Sequence, residues 1–206
     1  MQHTEITASS RLTMRTFMLQ WAPSLVTAGL LWAATAAGHI PIPGTPVPIT
    51  LQTLVVMMAA MVLSRRQAVA AVVTYVAMGA CGLPVFAGGM STLALVGPSA
   101  GFIFGFVPAV AVTATLAAAV QRMSARWGAA HDGAVNATMR WAVRFAAYWA
   151  AAVIGCIVLH YACGLLVQSA ITGGPLRLIA SASAGFLPGD LCKAALAAAV
   201  AASCRR

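Results

Sequence analysis

The chain has 206 residues, 61% hydrophobic and 7% charged, with twelve Lys and Arg against three Asp and Glu for a net charge of +9. Soluble domains are about 25% charged, and so few charges cannot coat a watery surface of this size. The composition therefore points to an all-α integral membrane protein, excludes a disordered chain, and gives no sign of a nucleic-acid partner, because the basic residues sit at the ends of apolar runs.

A membrane-crossing helix needs about 20 mostly apolar residues. In chain order the apolar stretches are 17–37, 49–63, 67–82, 100–120, 141–167 and 185–203. The second and third fall short of that length. Only Ser64, Arg65 and Arg66 separate them, which predicts a tight helical hairpin with outer ends reaching into the flanking Pro/Gly segments. The organisation expected is a cytoplasmic N-terminal segment, 1–16, followed by a six-helix transmembrane domain, 17–206.

The connecting segments alternate in charge. Arg11, Arg15, Arg65, Arg66, Arg122, Arg126, Arg140, Arg144, Arg205 and Arg206 fall on one side, while 39–48, 83–99 and 168–184 carry only Arg177. Lys and Arg accumulate in cytoplasmic loops, so the chain is expected as a multi-pass protein of the cytoplasmic (inner) membrane with both termini inside. The Arg clusters read as topology signals and contacts to anionic membrane lipids. A signal peptide competes for the first stretch, since Arg11 and Arg15 precede it and Ala34-Thr35-Ala36 resembles a cleavage site. The run is longer than the roughly 7–15 residues of a signal-peptide core, which favours a retained span.

Little chemistry is on offer inside the membrane. Cys81, Cys156, Cys163, Cys192 and Cys204 are odd in number and lack metal-ligand spacing, so they read as small packing residues. His3, His39, His131 and His160 are scattered; His160, inside a span, reads as a buried histidine satisfied by a hydrogen bond. No phosphate-binding loop of the G-x-x-x-x-G-K-[ST] type occurs, so no bound nucleotide, cofactor or metal is expected. Glu5 and Asp132 lie in cytoplasmic segments, which leaves no paired carboxylates for acid/base or two-metal catalysis and argues against an enzyme.

The sixth stretch opens Leu187-Pro188-Gly189-Asp190-Leu191-Cys192-Lys193. Asp190 and Lys193, three apart, share a helix face. Intramembrane charges mark functional sites by default. Pro and Asp are also ordinary helix starters, and Lys193 could snorkel. A Lys in a first turn opposes the helix dipole, however, and calls for an anion: Asp190, a ligand carboxylate, or both.

Two outer loops are long and uncharged. The segment 40–53 holds Pro41, Pro43, Pro46 and Pro48 and ends in Thr50, Gln52 and Thr53, a stiff entry into the second span. The other runs through Leu83-Pro84-Val85-Phe86-Ala87-Gly88-Gly89 to Gly97-Pro98-Ser99-Ala100-Gly101-Phe102. Irregular backbone at membrane depth is tolerated where it is buried or lines a cavity, so both loops are expected to fold into the outer mouth of the bundle, over a ligand site near the extracytoplasmic end.

Pro46-Val47-Pro48-Ile49-Thr50-Leu51-Gln52-Thr53, the two Gly/Pro segments just quoted, and Pro188-Gly189-Asp190-Leu191-Cys192-Lys193 together resemble the BioY family, the biotin-specific substrate-binding (S) subunits of energy-coupling-factor (ECF) transporters. The likeness runs from about Leu30 to the C-terminus. One segment departs: where relatives typically read Gly-Pro-Thr-Gly-Gly-Tyr, this chain has Gly97-Pro98-Ser99-Ala100-Gly101-Phe102, keeping a hydroxyl at Ser99 and losing one at Phe102.

The resemblance implies high-affinity biotin binding from outside and partnership with a membrane-embedded coupling subunit and two ATPases, consistent with a chain lacking a phosphate loop. Asp190 and Lys193 would meet polar groups of biotin, Gln52, Thr53 and Ser99 would complete the polar contacts, and Phe86, Phe102 and Tyr161 would line an apolar pocket. On the first span Gly29, Ala33 and Ala37 form a small-residue face at four-residue spacing, which allows close helix approach and, by resemblance, docks the coupling subunit; packing within the bundle is the other reading. A homo-oligomer stays open. So do the alternatives of a biotin permease acting without ATPase partners and a transporter or channel for another small molecule.

Overall fold

The computed structural model describes residues 2–41, 47–130 and 136–204, with 2–17 and 128–130 by backbone alone. His131, Asp132, Arg205 and Arg206 lie outside the described residues, as do the side chains of His3, Glu5, Arg11 and Arg15.

Helix α1 spans Gln2–Ala36, α2 Gln52–Val62, α3 Arg65–Ala80 and α4 Ala100–Ala130. Helix α5, Ala137–Ala152, runs through a π-helical segment, Val153–Leu159, into α6, His160–Thr172. Helix α7, Leu176–Ser183, passes through a 3-10 turn, Ala184–Phe186, into α8, Leu187–Ser203. Helix thus runs through each of the six apolar stretches. Ala100–Trp127, Ala137–Thr172 and Leu176–Ser203 are the described helices long and apolar enough to cross a membrane.

Two expected boundaries move. Helix α7 occupies much of the segment expected as an outer loop, because Leu176 to Ser183 already carries an amphipathic pattern and follows Pro175, a residue suited to a helix start. The last helix consequently does not begin afresh near Pro188; the 3-10 turn leads into it, and Pro188 falls in the first turn of α8, where no backbone donor is required.

The α2–α3 hairpin is held by Ser64, whose side chain accepts from the Gln67 backbone while the Gln67 side chain returns to Ser64. This reciprocal cap satisfies two donors that the helix leaves unpaired. Gln67 also reaches back to α1, donating to the Gln20 carbonyl at 2.7 Å. Helix α1 packs on α2 and α3, α4 lies against α2, α3, α5 and α6, and α8 lies against α2 and α5. Helix α8 buries Ala194, Ala197, Ala198, Ala201 and Ala202; their small side chains let neighbouring backbones come close. At the far end of α8 Arg144 donates to the Cys204 carbonyl at 2.9 Å, capping the helix with a cation, so this arginine has a packing role besides the topological one expected of it.

The outer faces carry large exposed apolar side chains, among them Val26, Leu30, Val73, Phe104, Val158 and Leu196, a surface suited to lipid. Of the cysteines only Cys156 is buried; Cys163 is half-buried and Cys81, Cys192 and Cys204 are exposed, so the expected packing role applies to one or two of them.

Candidate functional site

A cavity opens at the end of the bundle opposite the α2–α3 hairpin. It encloses about 690 Å³ between the atoms, the open mouth included, and Gln52, Thr53, Phe86, Ser99, Phe102, Tyr161, Asp190 and Lys193 all line it. Every ligand-contacting residue expected from sequence thus comes to one place.

The polar cluster is built on α8. Asp190, 4% exposed, sits in its first turn, where the helix dipole favours an anion. Its Oδ1 accepts from Thr53 Oγ1 at 2.8 Å and from Lys193 Nζ at 2.9 Å, and its Oδ2 accepts from the Tyr161 hydroxyl at 2.6 Å. Lys193 Nζ also donates to the Thr50 carbonyl at 2.8 Å and to Thr53 Oγ1 at 3.1 Å. The ammonium that the dipole would disfavour is thereby compensated by a carboxylate and two neutral oxygens. Tyr161, expected as an apolar lining residue, also acts as a donor to Asp190.

A second chain of hydrogen bonds holds the loops. The Gln52 amide donates to the Tyr75 hydroxyl, which donates to the Val85 carbonyl at 2.9 Å. Thr35 of α1 donates to the same carbonyl at 2.9 Å. Thr50 Oγ1 donates to Gln52 Oε1 at 3.2 Å. Val85 is thus tied to two helices, and Phe86 beside it enters the cavity wall with its ring edge-on to Tyr75 at 5.4 Å. Gly79 makes room: a Cβ there would lie 2.1 Å from the Phe86 ring. The other loop is pinned at its base, where Ile40 and Ile49 exchange backbone hydrogen bonds at 2.9 and 2.8 Å.

The opposite wall is aromatic. Phe102, Phe106, His160, Tyr161 and Phe186 all line the cavity. Phe102 lies against α6 over Gly164, where a Cβ would come within 2.3 Å of its ring. It meets Tyr161 and Phe186 edge-on, both at 6.4 Å. Phe106 and Phe186 escaped the sequence reading, although Phe106 lies one helical turn beyond Phe102 and Phe186 stands just ahead of the Pro188–Lys193 motif. His160 departs from expectation more sharply. It is in the cavity wall, and its Nδ1 is buried without a hydrogen-bond partner among the described residues. The π-helical segment immediately before it shifts the register of α6, and such segments gather at functional sites.

Gly29, Ala33 and Ala37 lie elsewhere. Gly29 is half-buried, with nothing within 4 Å of an added Cβ, and Ala33 and Ala37 are exposed. Ala28, Leu31 and Ala34 supply the buried face of α1 instead, so the stripe is not used for packing within the bundle.

The BioY family profile matches residues 8–206. A protein of Rhodobacter capsulatus named "Biotin transporter BioY" is 36% identical over 178 residues, 81% of this chain and 84% of the relative. Another of that name from Rhizobium etli is 36% identical over 154 residues, 74% of this chain and 75% of the relative. The fold is similar to a crystal structure at 2.1 Å described as the S-component for biotin from an ECF-type ABC transporter, with a TM-score of 0.71, 19% identity, and coverage of 94% of this chain and 91% of that one. With its polar cluster, its two loops and nearly its whole length inside that profile, the chain belongs to the BioY family.

Proposed function

We propose that this chain binds biotin and carries it across the cytoplasmic membrane as the substrate-binding subunit of an ECF-type ABC transporter. The observation that carries the reading is the convergence of Asp190, Lys193, Thr53 and Tyr161 at one edge of an aromatic cavity, in a chain whose relatives are named biotin transporters. A few convergent polar groups in an apolar pocket suit a small ligand with one polar end.

The chemistry follows from the hydrogen-bond inventory. An ionised carboxylate offers about four lone-pair sites. Asp190 uses three, for Thr53, Lys193 and Tyr161, so one ureido N–H of biotin can be accepted with nothing displaced. Lys193 already spends its three donors on Asp190, Thr53 and the Thr50 carbonyl. A ligand oxygen reaching it would displace the Thr50 carbonyl, at the base of the 41–50 loop. Gln52 and Ser99 add polar contacts, while Phe86, Phe102, Phe106 and Phe186 receive the sulfur ring and the aliphatic tail.

In this reading the chain spans the membrane six times, with both termini in the cytoplasm and the cavity at the extracytoplasmic end; the Arg-poor loops around the cavity support that orientation. The stripe of half-buried Gly29 and exposed Ala33 and Ala37 docks the coupling subunit, and two ATPases supply the energy. Titration of biotin into the detergent-purified chain tests the binding reading: saturable tight binding is expected, and absence of any heat or retained ligand would overturn it. Co-purification of the coupling subunit and ATPases tests the assembly.

A further inference from the structure

The polar ring that the site described above leaves unused is His160. It is 3% exposed and lines the cavity. Its ring stacks on Phe106, with centroids 4.5 Å apart and planes at 13°, and meets Phe102 edge-on at 5.5 Å. These contacts occupy the faces of the imidazole and leave its nitrogens unused. A phenylalanine would stack as well with no polar atom to bury. Buried polar atoms without partners are uncommon in native proteins, and each calls for a reason.

The nitrogens differ in position. Nδ1 is buried and unpartnered, on the side of Gly105 in α4, where an added Cβ would lie 3.3 Å from it. Nε2, the other ring nitrogen, is the one left for the cavity that His160 lines. A neutral imidazole holds one proton on one nitrogen and a lone pair on the other. The Gly105 backbone is the protein neighbour on the Nδ1 side, so Nε2 is the nitrogen whose proton or lone pair is left for a ligand. Asp190, Tyr161 and Lys193, the titratable groups sharing the cavity, are already bonded to one another.

We infer that His160 is a ligand-contacting, specificity-determining residue whose Nε2 exchanges a hydrogen bond with a polar group of the bound ligand. The inference rests on the biotin reading and names one more contact in it. Its physical basis is a cavity-lining imidazole whose stacking is complete and whose hydrogen bonding is not.

Calorimetric titration of biotin into wild type, His160→Phe and His160→Gln tests it. Phe keeps the stacking and loses the nitrogen; the Gln amide can replace Nε2. Expected are about tenfold weaker binding in His160→Phe and recovery of most of that loss in His160→Gln. Binding by His160→Phe within about twofold of wild type overturns the assignment, and so does an equal loss in both variants, which would mean that shape alone matters. Should His160→Phe not fold, nitrogen-15 spectra of labelled histidine decide, in a chain carrying His3→Gln, His39→Gln and His131→Gln so that His160 is the sole histidine. Biotin should then shift an imidazole nitrogen resonance, and unmoved resonances at saturation overturn the assignment. If wild type binds no biotin, the biotin reading falls and takes this contact with it; wild-type binding with an indifferent His160 removes the contact alone.

Discussion

The Lys193 ammonium and the Asp190 carboxylate lie 2.9 Å apart across one turn of α8, with both side chains largely shielded from solvent. Each also has partners on other segments, so neither charge depends on the other alone. Asp190→Asn and Lys193→Met are each expected to abolish tight biotin binding while the protein still inserts and folds. A lost charged hydrogen bond costs about 1.5–3 kcal/mol, and a stranded buried partner adds to it. The double variant separates the roles: a purely structural pair predicts recovered affinity, because no charge is stranded, whereas a ligand site predicts a lasting defect. Biotin titration into the folded single and double variants reads the difference.

Tyr75→Phe should weaken biotin binding about tenfold and lower thermal stability. The variant removes the donor to the Val85 carbonyl and the acceptor for the Gln52 amide, and a buried polar group left unpaired costs about 1–3 kcal/mol. Calorimetry and thermal melting of the same preparation check both parts. Unchanged affinity would detach this network from the site.

Gly79→Ala tests how the 83–99 loop is seated. A methyl group at 2.1 Å from the Phe86 ring must displace that ring. Overpacking of this kind costs about 1–3 kcal/mol. The expected outcome is a folded protein with impaired biotin binding, checked by retention of ligand through purification; full retention would show that Phe86 moves without consequence for the cavity.

Gln52→Ala and Ser99→Ala should each weaken binding modestly, since a neutral hydrogen bond contributes about 0.5–1.5 kcal/mol net. The Gln52 change should be the larger, because it also leaves Tyr75 without its donor. Wild-type affinity in both would remove these two loop-borne residues from the site.

Leucine at positions 33 and 37 should spare biotin binding and reduce assembly with the coupling subunit. Ala33 and Ala37 are exposed, so Ala33→Leu and Ala37→Leu disturb no interior packing, while added bulk blocks close helix approach. Wild-type yield of the co-purified partner would show that this face is not the dock.

The amino-acid sequence by itself determined the class of protein and singled out many of the side chains that line the cavity. Long apolar runs and scarce charge demand a lipid-facing helical chain, because unpaired backbone groups are intolerable in hydrocarbon. The Asp190–Lys193 spacing is local, and helical periodicity alone puts both on one face. What the chain does over long distances was decided by tertiary structure. Thr53 reaches Asp190 across 137 positions and Tyr161 across 29, and the Gln52–Tyr75–Val85 chain joins two helices to a loop. No periodicity encodes such pairings, which depend on how the helices cross and on the register at which they meet. The π-helical segment shifts that register just before His160, and no proline or charge in Val153–Leu159 announces it. A residue that reads locally as a satisfied core histidine therefore stands, in the folded chain, at the cavity wall with a nitrogen unpaired.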